Sequence, residues 1–244
     1  MVASLAELYP EVPFFIGYWL GKGCRRMPVL YPASLQAADL RGVWIIFSAA
    51  GLLVAIIVYA LIFFSILRWR RRAHDSGVPP QFKTNASIEI TSVVIPLIMV
   101  IGLFYISYVR EGVVDFLKPA PYAVVNVRAF RWAWSFSYPG HGIVQAGTPQ
   151  SQPTLVLPQG KMTQINLYSD DVDHSFWVPA FLFKRDALPG YTNHFDVTPT
   201  QLGAFRGVCS EYCGLDHAFM TFTVRVVPLA TYDRWLASGG TAAL

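Results

Sequence analysis

The sequence predicts a membrane-anchored α+β protein, a two-helix transmembrane hairpin followed by an all-β Greek-key sandwich. Three observations predict it. The 244 residues are 54% hydrophobic and only 14% charged, a low share of charge for a soluble chain of this length. The apolar residues are concentrated in two uncharged runs, Val43 to Leu67 and Ile90 to Val109. Beyond Pro119 the pattern changes to short β-branched and aromatic runs cut by Pro, Gly, Asn and Asp.

Residues 1–42 read as an outward-facing N-terminal segment. Val12 to Leu20 is apolar but too short to cross a bilayer, and it lacks the basic flank of a signal peptide. It is expected to pack at the outer membrane surface or against a partner subunit. Cys24 is then a lone thiol; Gly23-Cys24 hints at a lipidated cysteine, although Lys22 sits badly in such a motif. The hairpin occupies residues 43–110, with helices at about 43–67 and 90–109, each long enough for a hydrocarbon core of about 30 Å. Pro96 and Gly102 in the second predict a kink or close helix packing, both tolerated in membrane helices. The loop 68–89 opens on Arg68-Trp-Arg-Arg-Arg72, and a basic cluster abutting a membrane helix places that loop in the cytoplasm and both termini outside. Much of the net charge of +4 comes from this loop, so it says little about what the outer domain binds. Arginine-rich runs also occur in nucleic-acid binders, but this position beside a membrane helix argues against a nucleic-acid partner.

Residues 119–228 form the β domain. Ala123 to Val127, Thr154 to Leu157, Thr163 to Tyr168 and Thr221 to Val227 are the clearest strands, and the regular turn signals between them indicate a sandwich. Phe130, Trp132, Trp134 and Phe136 alternate, which predicts one face of a single strand. A tail, 229–244, carries a short helix from Thr231 to Ser238.

The chemistry is concentrated in Cys209-Ser-Glu-Tyr-Cys213-Gly-Leu-Asp-His217-Ala-Phe-Met220, where two thiols, an imidazole and a thioether are spaced four, four and three residues apart. Such soft and borderline donors select copper over calcium, magnesium or manganese. A disulfide has no use for the histidine and methionine, and zinc rarely recruits methionine. One thiolate with two imidazoles would make a mononuclear blue-copper site, whereas a second thiolate lets two sulfurs bridge two ions. The loop needs a further ligand from another part of the chain. His174, in Asp170-Asp-Val-Asp-His174-Ser, is the best candidate; His141, in a Pro-Gly-His-Gly turn, and His194 are weaker.

The Cys-x3-Cys-x3-His-x2-Met loop, with Asp-x2-His-Ser 35 residues before its first cysteine, resembles subunit II of the haem–copper cytochrome c oxidases. The likeness runs from about residue 40 to about 228 and includes the membrane hairpin. It implies a cupredoxin fold and a binuclear CuA centre of two copper ions. Cys209 and Cys213 would be the bridging thiolates, and His174 and His217 would each hold one ion. Met220 and the backbone carbonyl of Glu211 would be the weak ligands. The Glu211 carboxylate would bind a Mg2+ shared with subunit I. Trp132 matches the first tryptophan of a Trp-x-Trp through which electrons from cytochrome c enter, although Phe130 and Arg131 depart from the family pattern. Glu89, in Thr84-Asn-Ala-Ser-Ile-Glu89, resembles the glutamate at the mouth of the K proton channel; a carboxylate in a first helical turn also suits the helix dipole. Asp170, Asp171, Asp173 and Asp216 flank the ligands, either as a solvated turn or as an acidic rim that steers a lysine-rich cytochrome c.

The resemblance implies an electron-accepting subunit of a respiratory oxidase in a bacterial plasma membrane. Its partners would be subunit I with haem and CuB, subunit III, and a soluble or membrane-bound cytochrome c. Neither apolar run contains a histidine that could hold haem, so reduction of O2 to water and proton translocation would belong to subunit I. Phe181-Leu-Phe-Lys-Arg-Asp186 is similar to actinobacterial forms, whose donor sits in a supercomplex. The alternatives are a copper-free quinol oxidase subunit II, which the intact donor set opposes, and another CuA electron-transfer protein such as nitrous oxide reductase, which the hairpin opposes.

Overall fold

The computed structural model describes residues 29–70, 77, 81, 83–115, 117–148 and 150–244. The expectations for residues 1–28, Cys24 among them, and for residues 71–76, 78–80 and 82 of the basic loop lie outside the described residues.

Helix α1 spans Leu35–Arg68 and α2 spans Ala86–Asp115. Both are long and apolar enough to cross a membrane, and their apolar side chains face outward, as with Leu53, Ile57, Leu61, Ile95 and Ile98. An all-round apolar surface suits a lipid-facing helix. Both helices outrun the uncharged stretches. At about 1.5 Å per residue the 34 residues of α1 reach about 51 Å, well beyond the hydrocarbon core. Tertiary contacts explain the extension of α1. Ser34 caps it, accepting a hydrogen bond from Ala37 N–H at 3.1 Å, and Leu35 N–H donates to Thr198 O at 3.0 Å. Ala33 N–H reaches Ala180 O at 2.9 Å, and Gln36 Oε1 accepts from Thr198 N–H. The first turn of the helix is thus tied to the β domain. Helix α2 starts at a reciprocal cap, in which Asn85 Oδ1 accepts from Ile88 N–H and Glu89 Oε1 accepts from Asn85 N–H at 3.0 Å. Pro96 lies inside α2.

Ten strands follow. They are β1 (Ala123–Phe130), β2 (Ala133–Tyr138), β3 (Ile143–Ala146), β4 (Thr154–Pro158), β5 (Thr163–Ser169), β6 (His174–Val178), β7 (Phe183–Ala187), β8 (Asn193–Val197), β9 (Gly203–Cys209) and β10 (Thr221–Val227). They form two five-stranded sheets, ordered β3-β2-β1-β5-β8 and β4-β10-β9-β6-β7. Each is mixed, with β1 parallel to β5 and β4 parallel to β10. Helix α3, Leu229–Ala237, begins directly after Pro228, two residues earlier than the sequence predicts. The fold is the expected cupredoxin-like sandwich behind two apolar helices.

The aromatic run departs from its expected form. Phe130 ends β1, Arg131 and Trp132 make the turn, and Trp134 and Phe136 lie on β2, with Phe130 paired to Ala133. Two residues with bulky side chains form this turn without Gly, Asn or Asp, which hides it from sequence patterns. The core lies between the sheets. Phe176 and Phe222 stack at 4.8 Å, and Trp134 meets Phe222 edge-on at 5.3 Å. Tyr138 crosses from β2 to β4, where its buried hydroxyl accepts from Val156 N–H at 2.7 Å and donates to Val156 O at 3.1 Å. Tyr138→Phe leaves both backbone groups unpaired in the interior. It is expected to destabilise the chain by about 1–3 kcal/mol, measured as a lower denaturant midpoint of the solubilised full chain.

Candidate metal centre

The donors converge at one end of the sandwich. Cys209 is the last residue of β9, His174 the first of β6, and the 210–220 loop returns to β10. The neck of the loop is closed by Cys209 N–H donating to Met220 O at 3.0 Å, and Ser210 N–H fastens it to Ser175 O at 3.0 Å. Trp134 Nε1 donates to the same Met220 carbonyl. A 3-10 turn, His217–Phe219, sets His217 and Met220 facing inward. The strands therefore fix both ends of the loop, and the core beneath it is rigid aromatic packing.

Within this frame the two sulfurs lie side by side. Cys209 Sγ is 3.9 Å from Cys213 Sγ, far longer than a disulfide bond, and neither thiol is in a disulfide. Each sulfur faces its own imidazole. Cys209 Sγ is 3.8 Å from His174 Nδ1, and Cys213 Sγ is 3.5 Å from His217 Nδ1. The two outer positions are filled by the Glu211 carbonyl, 3.3 Å from Cys209 Sγ, and by Met220 Sδ, 3.8 Å from Cys213 Sγ. The ligand atoms of His174, Cys209 and Cys213 all lie within 4.8 Å of one another, a group that could hold a metal ion. His174, Cys209, Cys213 and Met220 are buried.

Electrostatics make the same point. Burial, and then the neighbouring Cys209, push the Cys213 thiol up to about 12. Two thiolates this close in an apolar pocket repel each other unless a cation lies between them. The donor set, soft and including a thioether, fits copper better than zinc.

The sequence reads Asp171 as part of a solvated turn or an acidic rim, and the structure adds a contact with a candidate ligand histidine. Asp171 Oδ1 lies 3.0 Å from His174 Nε2. Partial burial opposes its charge, but hydrogen bonds from Arg131 N–H, His174, Val172 N–H and the Arg131 side chain outweigh it and hold the carboxyl down at about 2. The ionised carboxylate can only accept, so Nε2 is the donor of this pair, and Nδ1 is the nitrogen turned toward Cys209 Sγ. Asp170 is likewise paired, with Arg128 at 3.4 Å. The signal for Asp171 was the Asp-x2-His spacing itself.

Trp132 lies against the loop. Its Nε1 donates to Cys213 O at 3.1 Å, and Gly214, at φ +118°, makes room for the indole; a Cβ there would stand 3.2 Å from Trp132 Cζ2. Asp173 and Asp216 adjoin the two histidines, whereas Glu89, His194 and His141 are not brought here. Glu89 is in the first turn of α2, His194 bonds to Asn166, and His141 occupies the turn between β2 and β3.

Residues 149–227 match the family model for the periplasmic domain of cytochrome c oxidase subunit II. A probable cytochrome c oxidase subunit 2 of Streptomyces coelicolor is 34% identical over 86% of this chain and 78% of its own length. The chain belongs to the cytochrome c oxidase subunit II family. The subunit 2 of Mycobacterium tuberculosis is 31% identical, over 80% of this chain and 70% of its own. Among solved structures, the periplasmic domain of subunit II from Bradyrhizobium japonicum is 32% identical. It covers 50% of this chain and 96% of its own, with a TM-score of 0.46. As a cytochrome c oxidase subunit II, the protein is a membrane-anchored part of an oxidoreductase complex, and copper and electron transport follow from the family.

Proposed function

We propose that this chain is the electron-accepting subunit of a respiratory cytochrome c oxidase. In this reading His174, Cys209, Cys213, His217, Met220 and the Glu211 carbonyl hold two copper ions. Cys209 and Cys213 would supply the thiolates and His174 and His217 the imidazoles. When bound, such a copper pair takes up and releases one electron with the charge spread over both ions. The observation that carries the reading is the pair of buried thiols 3.9 Å apart, each facing its own histidine nitrogen. A mononuclear site has no use for the second thiol, and a structural site has no use for Met220.

The remaining residues take roles around that centre. Trp132 receives the electron from a cytochrome c, soluble or membrane-bound, because its indole bonds directly to the backbone of a ligand cysteine. The short loop and the strand ends hold the donors in place, so little rearranges when the charge changes. The electron then passes to haem in subunit I, where O2 is reduced to water and protons are translocated; subunit III completes the assembly. Glu211 is exposed in the loop, and its carboxylate would share a Mg2+ with subunit I; magnesium commonly takes one or two carboxylates with waters. Glu89 stands at the mouth of the K proton channel. The membrane is the bacterial plasma membrane, with the hairpin of residues 43–110 across it. The basic loop lies inside, and the 119–228 domain, the 229–244 tail and both termini lie outside.

A quinol oxidase subunit II is the rival reading, and the complete donor set weighs against it. The purified complex containing this chain is expected to oxidise a reduced c-type cytochrome. Oxidation of quinol with no turnover of any c-type cytochrome would overturn the proposal.

A further inference from the structure

Arg131, the residue before Trp132, makes two contacts with Asp171. Asp171 Oδ2 accepts from Arg131 N–H at 2.9 Å and from Arg131 Nε at 3.2 Å. Asp171 Oδ1 accepts from Val172 N–H at 2.7 Å and lies 3.0 Å from His174 Nε2. Four donors use about all the acceptor sites that a carboxylate offers. Arg131 is the first residue of the two-residue turn and Trp132 the second, so the carboxylate fixes the turn from one side. The indole, through its bond to Cys213 O, fixes it from the other.

We propose that Asp171, clamped by Arg131, is a positioning residue that locks the Trp132 turn and the His174 imidazole to each other. It rests on the reading of Trp132 as the electron-receiving residue and His174 as a copper ligand. Without the Arg131 contacts the turn keeps the β1–β2 pairing at its neck and the indole bond to Cys213 O, but nothing ties it to Asp171 and His174. Without the carboxylate, His174 also loses the partner that sets its tautomer and ring orientation. The geometry separates this role from docking. The Asp171 charge is matched by Arg131 at 3.2 Å and Asp170 by Arg128 at 3.4 Å, so these two acids offer little field to a cationic donor.

The test uses Arg131→Ala and Asp171→Asn in the full oxidase complex. Three quantities are measured: copper release to bathocuproine disulfonate after reduction, the copper EPR spectrum, and the rate of electron input from a reduced c-type cytochrome across a range of ionic strength. Arg131→Ala loses the Nε bond but keeps the N–H bond to Asp171, so it is expected to keep the wild-type EPR spectrum and copper release and to slow electron input at every ionic strength by less than Asp171→Asn does. Asp171→Asn is expected to change the EPR spectrum, to release copper about 10–100-fold faster, and to slow input as well. Wild-type copper release in Asp171→Asn would overturn the proposal. So would an Arg131→Ala complex with unchanged input, or one slowed only at low ionic strength, the signature of steering. A wild-type complex without a dicopper signal contradicts the proposal together with the reading beneath it. A normal wild-type signal with unaltered variants contradicts the positioning role alone.

Discussion

Cys209→Ser is expected to abolish the delocalised, mixed-valence copper signal. The Cys209 sulfur faces His174 Nδ1, Cys213 Sγ and the Glu211 carbonyl at 3.3–3.9 Å, so it is the atom through which the two halves of the site meet. A serine hydroxyl is nearly the same size but is a hard donor that stays protonated near neutral pH. What remains is one thiolate with two imidazoles and a thioether, the donor set of a mononuclear blue-copper site. Cys213→Ser is expected to do the same from the other side. The substitution removes little volume, so the melting temperature of the solubilised chain should fall by only a few degrees, and loss of signal is then a loss of chemistry. A multi-line mixed-valence EPR spectrum that survives either change would sink the assignment.

Trp132→Ala is expected to slow electron input from a reduced c-type cytochrome by at least about tenfold, equivalent to about 1.4 kcal/mol in the barrier, while the copper EPR signal stays that of the wild type. The indole bonds to the Cys213 carbonyl, and no metal donor comes from it. Trp132→Phe keeps an aromatic surface and loses the N–H, so it should fall between wild type and alanine. Stopped-flow reduction of the oxidised complex separates this step from later turnover. An alanine variant reduced at the wild-type rate would remove Trp132 from the electron path.

The ligand loop was legible in the sequence because its donors are local. Spacings of four, four and three residues survive whatever surrounds them, and only His174 had to be supplied from elsewhere. Strands β1, β4, β5 and β10 were legible for a similar reason, being β-branched runs between turn residues. Strands β6, β7 and β9 were harder to see. Lys184, Arg185 and Asp186 put charge into β7, and two glycines and an arginine thin out β9, so their strand character comes from pairing with neighbours. The break at Arg131–Trp132 had no turn residue to announce it. The extra turns of α1 depend on Thr198 and Ala180, far along the chain, and the clamp of Asp171 on Arg131 spans 40 residues. Contacts of that range leave no periodicity in a single sequence.

The central claim is that the two thiols share two copper ions. Its most direct test is the EPR spectrum of the oxidised complex, integrated against the copper bound to this chain. The account predicts two copper ions at the site and one unpaired electron delocalised over both, visible as a multi-line mixed-valence signal. A single copper with a mononuclear spectrum, or a site that holds no copper, would contradict it.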